Sequence, residues 1–196
     1  MEPPGVDLYW LPLGAGGWFV RLNGKAYEAL AAARERRPRA DLYHSALIVT
    51  VPEARFAIES GPIPDSDSAA RGVVCEGAVG HRALGRFRVF RYEVRCWPGG
   101  VIPDLGEAVE SPLRLTDEPA VARRLLDLAP RVPSPVWGRD ELGTGDMWNS
   151  NSVVSWLVTA SGLDVEPIRP PAGGRAAGWA AGVGVARRRA VGRLTR

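Results

Sequence analysis

Lysine is almost missing from this chain: Lys25 stands alone against 24 arginines, and histidine, cysteine and methionine occur twice each in 196 residues. Each scarcity excludes something. Cys75 and Cys96 are too few for a disulfide framework, and whether they pair is open from sequence. Neither has a metal-ligand companion at short spacing, so no CxxC-type zinc site is expected, and nothing else in the chain implies a metal or organic cofactor. Any histidine catalysis must run through His44 or His81. The arginines are nearly balanced by 22 acids, leaving a net charge of +3 with no basic–aromatic interleaving, which argues against a nucleic-acid surface. The longest low-charge run, Ala176 to Ala186, is too short and too glycine-rich for an integral membrane segment. No basic segment followed by an apolar one opens the chain, so no signal peptide is expected and a cytoplasmic address is the default.

What is present is ordinary for a globular protein: 45% hydrophobic and 24% charged residues, in a length that buries one sizeable core. Val6–Leu13 reads as a strand broken by Gly14, Gly16 and Gly17. Ala26–Arg37 reads as a helix with a modest apolar face of Tyr27, Leu30, Ala31 and Ala33, ended by Pro38. Leu42–Val51 is the best strand, turned at Pro52 and Glu53 into Arg55–Ser60, whose Phe56 and Ile58 face away from Ala57 and Glu59. A polar loop over 61–68 suits a lid or a plain connection. A short strand, Gly72–Gly80, and a long alternating one, Phe87–Trp97, follow, the latter with Phe90, Tyr92, Val94 and Cys96 toward the core. Thr116–Leu128 is a helix with Thr116 as cap and Pro119 in its first turn. Strands followed by helices predict an α+β domain over 1–163. Residues 164–196 read as a Pro/Gly-rich extension, with Trp179 docked on the body and a frayed basic tail from Arg187.

The stretch with most chemical potential runs from Gly143 to Val158. A glycine-bearing loop enters an apolar helix through Asn149, Ser150, Asn151 and Ser152, and Gly162 stops it. Any of the four can cap the helix. The same tip offers free N–H groups and positive partial charge, which stabilise a nucleophile and an oxyanion. Both readings stand: a capped core helix, or Ser150 as nucleophile with Ser152 as the poorer candidate and better cap. Asn149, Asn151 and Trp148 are candidate substrate contacts, with loop pinning and core packing as their alternatives. His44 is either a structural strand histidine or the base, and His81 reads as a surface residue. If the hairpin turn centres on Pro52–Ala54, Glu59 falls near His44, where a carboxylate would fix the imidazole tautomer.

Tyr43-His44-Ser45-Ala46-Leu47-Ile48 and Asn149-Ser150-Asn151-Ser152-Val153-Val154, in that order, resemble the two motifs of the circularly permuted NlpC/P60 (papain-like) superfamily, which includes lecithin:retinol acyltransferase-like and PPPDE-type proteins. In that family a histidine on an early strand serves a cysteine at the start of a late helix. The resemblance covers about 42–163 and implies a papain-like antiparallel sheet packed against helices. It puts Ser150 on the nucleophile, His44 on the base and Glu59 on the third polar position. The implied activity is hydrolysis or acyl transfer at an amide, ester or thioester carbonyl of a small-molecule, peptide or lipid substrate. Serine replaces the family's cysteine. That departure fits a serine variant, a catalytically inactive binding module or an engineered substitution.

Overall fold

The computed structural model describes residues 2–14, 28–63, 72–102 and 104–194. Gly16, Gly17, Ala26, Tyr27, most of the 61–68 loop and the last two residues lie outside that set. The elements in chain order are β1 (Gly5–Pro12), α1 (28–35), β2 (Asp41–Val51), β3 (Ala54–Pro62), β4 (Val73–Ala78), β5 (Arg91–Pro98), β6 (Leu113–Thr116), α2 (Pro119–Leu128), α3 (Ser150–Ala160), β7 (Gly174–Arg175) and α4 (Trp179–Leu194). The architecture is α+β. Six strands pair antiparallel in the order β4-β5-β3-β2-β1-β6, and β7 adds a short parallel pairing at the start of β2.

Strand alternation divides the sheet's side chains between two faces. On one face Val6, Leu8 and Trp10 of β1, Leu47 and Val49 of β2, and Tyr92 and Val94 of β5 join the main core with α2, α3 and α4. On the far face Leu11, Ala46, Ile48 and Ala57 form a second cluster with Ile102, closed by Leu105 and Ala108 of the loop that returns across the sheet after β5. β2 is therefore apolar on both faces along most of its length.

The central helix is α3. Val153, Val154, Trp156, Leu157 and Val158 are all at most 3% exposed. Burying side chains of this size stabilises by roughly 1.5–3 kcal/mol each. α4 crosses α3 so closely at Gly182 that an added Cβ would overlap the Ser152 carbonyl oxygen and Ser155 Oγ. The described part of the C-terminal extension accordingly packs on the body. Ala181, Val185 and Ala186 lie in the main core, and the stretch read as a frayed tail is helical to Leu194. Trp179 does dock on the body, its ring 5.2 Å from that of Trp10.

Other local expectations divide in the same way. Tyr92 and Val94 face the core as their alternation demands, but the strand begins at Arg91, because 88–90 forms a 3-10 turn. Pro119 opens α2, yet Thr116 lies outside the helix and its Oγ1 accepts instead from the Glu118 N–H at 3.1 Å. In α1, Leu30 is exposed, while Ala32 and Glu28 are buried. Arg37 pairs with the Glu28 carboxylate at 2.5 Å.

Candidate functional site

The tip of α3 is built from its own polar residues. Asn149 is the N-cap, its Oδ1 accepting from the N–H groups of Asn151 at 3.0 Å and Ser152 at 3.3 Å. Ser152 returns the favour in a capping box, Oγ accepting from Asn149 N–H at 3.0 Å. The remaining polar atoms reach outward. Asn149 Nδ2 and Asn151 Nδ2 both donate to the Ala177 carbonyl, at 2.8 and 2.9 Å, and Ser152 Oγ donates to the Gly178 carbonyl at 2.7 Å. Asp146 closes the junction, Oδ2 accepting from Gly178 N–H at 2.8 Å. Burial pushes the Asp146 carboxyl upward, and the N–H groups of Met147, Gly178 and Ala180 offset part of that. Gly178 is required here: its φ is +86° and an added Cβ would strike the Asn149 amide. The result is a clasp that joins α3 to the entry of α4.

The same bonds fix what faces β2. Asn151 Oδ1 accepts from Ser45 Oγ at 2.9 Å, and Asn151 Nδ2 donates to the Tyr43 carbonyl at 2.9 Å. Ser45 therefore points at α3. His44, the next residue along the strand, points to the other face. Its cross-strand partner is Leu11, a member of the far-face cluster. His44 is half-buried there, and desolvation pulls its pKa down to about 4, partly opposed by the Asp104 carboxylate. The imidazole is neutral at physiological pH.

Glu59 lies on the same far face but does not orient His44. The β2–β3 ladder runs from Val51–Ala54 to Leu47–Ile58, where it ends, and this register does not set Glu59 opposite His44. Glu59 instead pairs with Arg95 of β5 in the ladder, and its Oε2 sits 3.8 Å from Arg95 Nη1. Arg95 is held more firmly by Glu93, Nε to Oε1 at 2.5 Å. Glu59 Oε2 is buried without a hydrogen bond, and desolvation raises the carboxyl above its ordinary range, with Asp104 and Glu93 adding to the rise and Arg95 opposing it.

His44 and Glu59 thus share the far face of the sheet, while α3, which carries Ser150, packs on the other. Ser150 is at the first turn of α3, 5% exposed, with helical spacing to Val154 and Leu157 in the main core. Its Oγ makes no hydrogen bond among the described residues, and of the helix-tip N–H groups those of Asn151 and Ser152 are taken by Asn149 Oδ1. Of the substrate-contact candidates, Asn149 and Asn151 are pins of the clasp, and Trp148, 1% exposed, is core. His81 is exposed, as expected, and caps a short turn by accepting from Ala83 N–H at 3.2 Å. The residue the sequence reading missed is Asp104. Its carboxylate influences both His44 and Glu59, and its φ is +58°. No local motif marks it, since only the return of the post-β5 loop over the sheet brings it there.

Cys75 and Cys96 are free thiols on neighbouring strands β4 and β5, and burial raises both pKa values to about 11, so neither is a ready thiolate. Among the described residues no group of three His, Cys, Asp or Glu side chains is placed to hold a metal ion, and no helix is long and apolar enough to cross a membrane. No protein-family model, curated protein or solved structure matches the chain.

Proposed function

We propose that the chain is a non-catalytic binding module on a papain-like plan, in which the helix tip that would carry a nucleophile serves as a structural clasp. The order of parts supports the plan: an early strand with His44, a late central helix opening at Asn149-Ser150-Asn151-Ser152, and a sheet packed on that helix. The single observation that carries the non-catalytic half is the Ser45–Asn151 hydrogen bond at 2.9 Å. It turns Ser45 toward α3, and strand alternation then sends the only nearby imidazole to the opposite face. A serine hydroxyl is a weak nucleophile and depends wholly on its base.

The test is covalent labelling. The intact protein is incubated with a fluorophosphonate probe and weighed by mass spectrometry, alongside Ser150→Ala and His44→Gln. The expected result is no adduct on any of the three. Stoichiometric labelling of the parent, lost in both variants, would restore the acyl-transfer reading.

A second reading keeps His44 and drops Ser150. Desolvation keeps the His44 imidazole neutral and raises the Glu59 carboxyl on the same face of the sheet, with the Asp104 charge acting on both, and such opposed environments are how acid and base roles are assigned. It predicts hydrolysis of some ester or amide in a substrate panel that His44→Gln abolishes and Ser150→Ala leaves intact. Equal rates in parent and His44→Gln exclude it.

A further inference from the structure

A cavity of about 410 Å³ opens between β1, the N-terminal half of α4 and the 165–170 segment. This volume falls within the range of small-molecule sites, roughly 300–1,000 Å³. It is lined by Trp179, backed by the buried Trp10 ring, and by Val165, Ile168 and Val183. The charged groups at its mouth are Arg169, Arg187 and Glu166. Arg187 and Glu166 satisfy one another, Nη2 to Oε1 at 2.5 Å. Arg169 is different. Its Nη1 donates to the backbone carbonyls of Glu166 and Ile168, which fixes the guanidinium, and its other nitrogens have no acceptor among the described residues. The mouth therefore presents one net positive charge, already oriented, over an aromatic floor. The Trp10 indole N–H is buried without an acceptor.

From these features we propose that the cavity binds a small monocarboxylate with a flat apolar body, the body resting on Trp179 and its apolar surroundings and the carboxylate held by Arg169. This rests on the binding-module reading and names its ligand class. The apolar body supplies most of the affinity by leaving water, and the charge-assisted hydrogen bond selects acids over neutral molecules of the same shape.

The test uses a matched pair, naphthalene-1-carboxylate and naphthalene-1-methanol, titrated into the full chain while the Trp indole N–H signals are followed by NMR. The acid is expected to shift the Trp10 and Trp179 signals saturably and to bind about tenfold more tightly than the alcohol, the worth of one charge-assisted hydrogen bond. Arg169→Gln brings the acid to the level of the alcohol. Val183→Trp, which fills the cavity, abolishes both, with Ala180→Leu as a milder filling should the larger residue disturb folding. Absence of saturable shifts, acid and alcohol of equal affinity, or affinities unchanged by both filling variants would each overturn the site. Fluorophosphonate labelling separates this proposal from the reading beneath it. A labelled Ser150 with normal naphthoate binding removes the non-catalytic claim and leaves the cavity standing. No label with no naphthoate binding does the reverse.

Discussion

The tip of α3 and the far face of the sheet both keep polar side chains out of water, and they do so in opposite ways. At the tip, the side-chain oxygens and amide nitrogens of Asn149, Asn151 and Ser152 all have partners, among them the backbone carbonyls of Ala177 and Gly178. On the far face, Glu59 Oε2 has no hydrogen bond and His44 is held neutral by desolvation beside Asp104. A fully satisfied network rigidifies and specifies packing, whereas a partly satisfied one leaves energy to be recovered. Asn149 and Asn151, which the sequence offers as substrate contacts, are the residues whose hydrogen bonds the fold has already used.

The comparison can be broken most forcefully at Gly182. Gly182→Val forces α4 off α3 beside Ser152, and a loss of about 3 kcal/mol or more is expected in urea denaturation, at the upper end of overpacking costs. A normal midpoint would mean that the helices are not in close contact.

The far face is sharpened by pH. The folded pKa of His44, about 4, lies below its ordinary 6.5, so the unfolded chain takes up the proton first. That contribution is fully present above about pH 6.5 and is lost as pH falls toward 4, to an extent of about 3 kcal/mol at most. Glu59, raised in the fold, works in the other direction: its carboxylate form costs stability at neutral pH, and the cost is relieved as it protonates. Denaturation of the parent and His44→Gln at pH 7 and pH 4.5 isolates the histidine. The parent is expected to lose more stability than the variant, and parallel losses would contradict the desolvated imidazole.

Next in size is Asn151→Ala. It strands Ser45 Oγ and the Tyr43 carbonyl, and removes one of two donors to the Ala177 carbonyl, for an expected loss of about 2 kcal/mol. Smallest is Ser150→Ala. Its Oγ has no partner among the described residues, so about 1 kcal/mol or less is expected, with no change in naphthoate binding. An Asn151→Ala effect no larger than that of Ser150→Ala would erase the distinction between clasp and bystander.

The broad plan was legible because it rests on local signals. The apolar run of Leu42–Val51, the alternation of Arg55–Ser60, the turn at Pro52–Glu53, Pro119 at a helix start and the Asn149 cap all act within a few residues. Two features were not legible. The facing of His44 depends on which side of β2 the helices cover, and β2 carries Leu47 and Val49 on one face against Ala46 and Ile48 on the other, so apolar pattern alone does not choose. α4 was hidden by its glycines, which read as helix breakers when taken alone. Gly182 is instead what lets α4 lie against α3, a requirement visible only once both helices are in place.

The most direct measurement of the central claim is a pair of double-mutant cycles by equilibrium denaturation, one for Ser45→Ala with Asn151→Ala and one for His44→Ala with Ser150→Ala. A coupling of about 1 kcal/mol is predicted for Ser45 with Asn151, and none beyond error for His44 with Ser150. Coupling between His44 and Ser150 with none between Ser45 and Asn151 would put the imidazole on the helix side of the sheet and contradict the account.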